Sequence, residues 1–153
     1  MVAMIALGDM APDFDLSGSD GKRHTLGEFK GRRLVLYFYP KDGTPGCTTE
    51  ACSFRDSNDA IRALGAEVVG ISKDTIESHG RFREKQGLNF LLLSDTDSKT
   101  IKAYDAYGPG LFGMGTLRKT YIVDRSGKIV KIYEKVRPDG HAQEIIEFLK
   151  SPK

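Results

Sequence analysis

The 153-residue chain has few cysteines, no long apolar run and no charge excess of either sign. Cysteine occurs only as Cys47 and Cys52. Two are too few for the disulfide framework of a small secreted domain, and too few for a four-cysteine zinc or iron–sulfur site. The longest internal apolar run is Leu34–Tyr39, far short of the roughly 20 residues that span a bilayer. Basic residues number 23 and acidic residues 21, a net +2. That balance gives no electrostatic reason to expect nucleic acid or an anionic membrane as partner. The three histidines, His24, His79 and His141, lack metal-ligand spacing and are expected at the surface. Met1–Leu7 is apolar but has no basic flank, and Asp9 ends it, so no signal peptide is expected. The expected setting is the reducing cytoplasm, where a close cysteine pair is more often catalytic or redox-active than structural.

Apolar residues make up 39% and charged residues 29%, the profile of a globular chain. The length predicts one domain over 1–153, large enough to bury roughly 68–70% of its unfolded surface without a disulfide or metal. Phe14 and Leu16 suggest a first strand, returned after the Ser19-Asp20-Gly21 turn by His24–Leu26. Leu34–Tyr39 reads as a buried strand, followed by a loop at Pro40–Gly46 and a helix from about Cys47 to Leu64. Val68–Ile71 is a strand, and Asp74 with Glu77 predicts the start of a helix ending near Gly87. Phe90–Leu93 is a strand, Ser98–Ala106 a helix and Tyr107–Thr116 a glycine-rich loop. Tyr121–Val123 and Ile129–Tyr133 flank a hairpin turn. Ala142, Ile145, Ile146 and Leu149 mark a C-terminal helix, and Ser151–Lys153 are expected to fray. Strands alternating with helices, closed by a hairpin, predict an α/β fold with a mixed sheet.

The chemistry concentrates in Tyr39–Cys52, YPKDGTPGCTTEAC. Thr44 suits a helix N-cap and Pro45 the first helical position, so Cys47 falls in the first turn. Unpaired N–H groups and the helix dipole favour an anion there, and the thiolate is the nucleophilic form of cysteine. Cys52 lies five residues on and points about 140° away on an α-helix, with the two Cα atoms roughly 8.6 Å apart. A disulfide needs about 7 Å or less. Any bond between the two therefore requires the first helical turns to unwind. Arg55 and Glu50 lie nearby, and both are expected in non-catalytic roles: Arg55 at the surface, Glu50 as a carboxylate suited to the dipole.

Pro40-Lys41-Asp42-Gly43-Thr44-Pro45-Gly46-Cys47 resembles the Pro-x-x-x-Thr-x-x-Cys motif of the peroxiredoxins. The wider YFYPK…TPGCTxEAC resembles the subgroup called bacterioferritin comigratory protein or peroxiredoxin Q. The likeness runs over nearly the whole chain, through GDMAPDFDLSGSDGK, GISKD, LLSD and RKTYIVDRSGKI. It implies a thioredoxin-like fold with an N-terminal β-hairpin extension, and a thiol peroxidase of antioxidant defence and redox homeostasis that needs no cofactor. It also implies roles. Cys47 resembles the peroxidatic cysteine, which becomes a sulfenic acid, and Cys52 the resolving cysteine. Thr44 resembles the residue whose hydroxyl bonds peroxide and thiolate, Pro40 the wall of the pocket, and Arg118 the arginine that stabilises thiolate and substrate. The backbone N–H groups of Gly46 and Cys47 would meet charge on the leaving oxygen. Hydrogen peroxide and alkyl hydroperoxides are the implied substrates, thioredoxin or glutaredoxin the implied reductant, and a monomer the implied state.

No cysteine follows position 52, so subgroups that resolve from a later helix or a C-terminal tail are excluded. Were Cys52 inert, the enzyme would use one cysteine and an external thiol. A disulfide oxidoreductase is disfavoured because such enzymes use Cys-x-x-Cys; a non-enzymatic binding module is the third reading. Gly108–Gly113 matches G-x-G-x-x-G but does not follow a strand and open a helix, so it is not a dinucleotide fingerprint. Asp95 and Asp97 read as helix caps.

Overall fold

The computed structural model describes residues 5–110 and 113–151. Its centre is β3 (Arg33–Phe38), buried from Leu34 onwards. Successive side chains of a strand point to opposite faces, and the two faces of β3 seed two cores. Val35 and Tyr37, with Tyr39 beyond the strand end, join one cluster; Leu34, Leu36 and Phe38 join the other. On its flanks β3 pairs in parallel with β4 (Ala66–Ser72) and antiparallel with β8 (Lys119–Val123). The sheet extends on one side through β5 (Leu91–Ser94) to the N-terminal hairpin of β1 (Asp15–Gly18) and β2 (Arg23–Thr25), and on the other to β9 (Ile129–Tyr133). The order is β2-β1-β5-β4-β3-β8-β9, a mixed seven-stranded sheet. The expected fold class, a thioredoxin-like α/β fold with flanking helices and an added N-terminal hairpin, is the one observed.

Helices α1 (Pro45–Ala63), α2 (Ile76–Gln86) and α4 (His141–Lys150) supply residues to the cluster on the Tyr37 face. The short α3 (Lys99–Ala103) and the N-terminal segment, with Ala11 and Phe14, cover the other face. Gly70 on β4 is dictated by packing: a Cβ there would lie 2.9 Å from both the Tyr37 ring and Leu92. No helix among the described residues is long and apolar enough to cross a membrane.

Several expectations need correction. The loop expected at Tyr107–Thr116 contains a separate antiparallel hairpin, β6 (Tyr107–Gly110) with β7 (Gly113–Thr116); Leu111 and Phe112 lie outside the described residues. Glycine hides strand propensity there, because it offers no side chain to reveal a pattern. The cap of α2 is Thr75, whose hydroxyl accepts from the Ser78 N–H, and Asp74 is turned elsewhere. The helix expected at Ser98–Ala106 is only five residues long, although Asp95 and Asp97 do accept from the N–H groups of Ile101 and Lys99 at its start. The histidines are not surface residues. His79 and His141 are fully buried and His24 is half-buried, each with both ring nitrogens facing polar partners. Of the tail expected to fray, residues 152–153 lie outside the described residues.

Candidate active site

The site forms where β3 gives way to α1. The chain leaves the sheet after Tyr39, turns through Pro40–Gly43 and enters the helix at Thr44, which is extended (φ −74°, ψ 154°). Pro45 takes the first helical position, as expected, and the first helical hydrogen bond runs from Thr48 N–H to the Thr44 carbonyl. The N–H groups of Gly46 and Cys47 precede that bond and have no carbonyl one turn back inside the helix to donate to. Thr44 stands at the cap position but does not cap with its side chain. Its hydroxyl donates to the Lys41 carbonyl (2.9 Å). Pro40 is half-buried at the start of the loop.

Cys47 is 1% exposed and faces the core with Ala51 and Phe54. Both cysteines are free thiols. Cys52, on another side of the same unbroken helix, is partly exposed, and its thiol donates to Gln86 Oε1 of α2 (3.6 Å). Arg55 does not reach Cys47 in the hydrogen-bond network: its guanidinium donates to the Gln86 carbonyl (2.6 Å) and to Asp56.

Arg118 reaches Cys47 because of strand register. Phe38 pairs with Lys119, so Arg118 stands at the sheet end from which the 39–44 loop departs. Its Nη2 lies 3.4 Å from Cys47 Sγ and its Nη1 2.7 Å from Glu50 Oε1. Gly46 makes room for it: a Cβ at that position would sit 3.0 Å from Arg118 Nη2 and 3.6 Å from Pro138. The guanidinium is therefore wedged between the helix start, the thiol and a carboxylate.

That carboxylate, Glu50, is expected from the sequence to serve the helix dipole, but it lies beyond the first turn and pairs with Arg118 instead. Glu50 is fully buried one turn after Cys47, on the stripe otherwise made of Cys47, Ala51 and Phe54. A charged residue three positions after a core-facing cysteine shares its helix face, and that spacing was the available signal. Burial raises the Glu50 carboxyl from an ordinary 4.5 to about 7, against the opposing pull of Arg118. Arg118 is also shifted up, for a different reason: burial lowers it, but Glu50 and Cys47 outweigh burial and hold it more firmly protonated. Burial, reinforced by Glu50 and Cys47, likewise keeps the neighbouring Tyr37 hydroxyl neutral.

The Glu50 shift fixes a pH dependence. Its folded value lies above its unfolded one, so the folded protein binds the proton more tightly. The stabilisation is full below about 4.5 and is lost as pH rises through about 7. Glu50→Gln removes this titration. In urea unfolding, the variant is expected to gain on wild type between about pH 5 and about pH 8. An unchanged difference across that range would contradict the buried, proton-binding carboxyl.

A nucleophile-type sulfur, an always-charged guanidinium and free helical N–H groups converge here. The set suits attack on an electrophile whose leaving atom takes up negative charge. Comparison with known proteins agrees with that chemistry. Residues 7–132 match the AhpC/TSA family. The chain is 44% identical over 150 residues to peroxiredoxin Bcp of Bacillus subtilis, covering 95% of this chain and 96% of that one. It is 43% identical over 152 residues to chloroplastic peroxiredoxin Q of Suaeda salsa, covering 99% of this chain and 71% of the relative. Among solved structures, a cysteine-to-serine variant of Xylella fastidiosa PrxQ superposes with a TM-score of 0.92 at 34% identity, covering 97% of this chain and 98% of that one. The bacterioferritin comigratory protein of Xanthomonas campestris, studied for its alkyl peroxide reduction activity, superposes with a TM-score of 0.85 at 38% identity, over 90% of each chain. With a family match over most of its length and relatives this similar from end to end, the chain belongs to the AhpC/TSA family as a peroxiredoxin of the Bcp and Q kind, a thiol peroxidase acting on hydroperoxides.

Proposed function

We propose that this peroxidase reduces hydrogen peroxide and alkyl hydroperoxides at Cys47 and closes its cycle through a Cys47–Cys52 disulfide. The Cys47 thiolate attacks the terminal peroxide oxygen. An S–O bond forms, the O–O bond breaks, and the leaving hydroxide or alkoxide takes a proton to become water or alcohol. Cys47 is left as a sulfenic acid. Arg118 and the Gly46 and Cys47 N–H groups stabilise the charge that moves onto the leaving oxygen, the Thr44 hydroxyl, its own proton given to the Lys41 carbonyl, accepts from the peroxide O–H, and Pro40 walls the pocket. The Cys52 thiolate then attacks the Cys47 sulfur. An S–S bond forms, the S–O bond breaks, and the hydroxide leaves as water. An external dithiol, thioredoxin or glutaredoxin, reduces the disulfide by thiol exchange. The enzyme works as a cytoplasmic monomer, with residues 1–153 as one domain.

The observation that carries this reading is the Arg118 contact: a guanidinium held by buried Glu50 lies 3.4 Å from a buried thiol in the first turn of a helix. Rapid mixing of the reduced protein with hydrogen peroxide tests it. Cys47 is expected to be consumed orders of magnitude faster than free cysteine, because the charge-stabilising groups are already in place. A rate near that of free cysteine would reject the reading.

A further inference from the structure

A second polar cluster lies behind the catalytic loop, and the peroxide chemistry above does not use it. His79 on α2 has no exposed side-chain surface, and the Asp42 side chain is 5% exposed. His79 Nδ1 lies 2.7 Å from Asp42 Oδ2, and Nε2 lies 2.9 Å from the Leu93 carbonyl of β5. Both neighbours are acceptors, so each ring nitrogen faces a group to which it can only donate. The Asp42 carboxylate also accepts from the Tyr39 hydroxyl (2.6 Å) and the Ser78 hydroxyl (2.8 Å). Its backbone N–H donates to Asp74 Oδ2 (2.9 Å), which in turn accepts from Ser72. Asp42, Asp74 and His79 are residue types that bind metals and lie close together. Their facing atoms, however, are already joined by hydrogen bonds to one another and to the protein, so the cluster is complete as a hydrogen-bonded clamp.

What the clamp grips is informative. Asp42 is the middle residue of the loop Pro40–Thr44, and its neighbour Lys41 supplies the carbonyl that orients the Thr44 hydroxyl. The loop thus has one fixed point, and His79 is the group that ties it to both α2 and the sheet. A charge-assisted hydrogen bond is about twice as strong as a neutral one, and a buried pair is strongly destabilised when one partner is lost. We propose that His79 is a positioning residue for the peroxide site: through Asp42 it fixes the loop, and with it the Thr44 hydroxyl, in the geometry that meets peroxide at Cys47. This rests on the reading of Cys47 as the peroxidatic residue.

Two amide substitutions separate this role from simple packing. Asparagine places its side-chain nitrogen near the position of Nδ1 and keeps a donor to Asp42. Glutamine, one methylene longer, reaches the position of Nε2 and keeps the donor to Leu93 instead. Rapid mixing with hydrogen peroxide resolves Cys47 oxidation from the later disulfide step. His79→Gln is expected to slow oxidation by about 10- to 100-fold, and His79→Asn to stay within about threefold of wild type, because small misplacements near reacting groups cost that much. Disulfide formation begins by leaving this geometry and should not slow in either variant. Asp42→Ala, which removes the acceptor altogether, should reproduce the His79→Gln loss, and combining the two should add little, since both break one link. Equal rates for the Gln and Asn variants, or additive losses, would overturn the proposal. If neither His79 variant folds, Asp42→Ala decides alone: slower oxidation with an intact disulfide step supports the clamp, and unchanged oxidation rejects it. A wild-type rate near that of free cysteine would instead reject the peroxidatic reading, so the two failures are distinguishable.

Discussion

Arg118→Met is expected to slow oxidation of Cys47 by hydrogen peroxide roughly 10²- to 10³-fold, about 2.7–4 kcal/mol of transition-state stabilisation. The O–O bond breaks with charge moving onto the leaving oxygen, and Arg118 is the cation in hydrogen-bond contact with the sulfur. Methionine keeps much of the bulk and removes the charge and the donors. Arg118→Lys should recover only part of the rate. The two contacts of Arg118, to Sγ and to Glu50 Oε1, use two different guanidinium nitrogens, and an ammonium is a single point that cannot reproduce that fork. Gly46→Ala should cause a smaller loss in the same direction, because its Cβ would press on Nη2 from 3.0 Å. The fold should survive Arg118→Met near neutral pH. The orphaned Glu50 already titrates at about 7 with Arg118 beside it, so it can take up a proton and avoid an uncompensated buried charge. An Arg118→Met rate within about twofold of wild type would remove the guanidinium from the chemistry.

The parts of this site that were legible in the sequence are those set by local rules. Pro45 after an extended Thr44 marks a helix start, whatever the helix packs against. The Ala51, Phe54, Ile61 stripe fixes which way Cys47 faces, and it is indeed buried. Arg118 was found by likeness to a family and not from the residue itself, because its position depends on the pairing of β3 with β8 across some eighty residues. Glu50 was half-legible. Its spacing from Cys47 put it on the buried face, but an acidic residue near a helix start has an ordinary explanation in the dipole, and its partner lies far along the chain. His79 was illegible for the same reason: its acceptors come from the catalytic loop and from β5, and no periodicity in α2 announces them. Asp74 illustrates a subtler failure. The spacing to Glu77 imitates a capping box, yet the neighbouring Thr75 caps and Asp74 serves the loop. Local pattern identifies a helix end more reliably than it identifies which polar residue closes it.

Cys52→Ser is expected to leave the first oxidation of Cys47 as fast as in wild type and to abolish the intramolecular disulfide. The serine oxygen is neither a ligand of Arg118 nor part of the loop, so the reaction with the first peroxide should be unaffected. The sulfenic acid then has no internal thiol to meet. It should persist, react with further peroxide to the sulfinic acid, and lower turnover with thioredoxin to near zero. In wild type, closing the proposed disulfide would demand a large change of shape. Both cysteines lie within one continuous helix, about 8.6 Å apart by helical geometry, beyond disulfide reach. The helix must open between them. The ties to α2 and the loop after it set where opening can stop: Arg55 donates to the Gln86 carbonyl, Asn58 to the Asn89 carbonyl, and Asn89 back to the Arg55 carbonyl. Asp42 is anchored on the other side. The segment free to unwind is therefore residues 43–54, and it contains both sulfurs. Hydrogen exchange on the oxidised wild type should show lost amide protection within that segment and retained protection from Asn58 onward, while oxidised Cys52→Ser should keep both. Protection retained throughout α1 in a protein that had nonetheless formed the disulfide would contradict the helix geometry. A Cys52→Ser enzyme turning over normally with thioredoxin would make Cys52 a bystander, and an external thiol would then be the resolver.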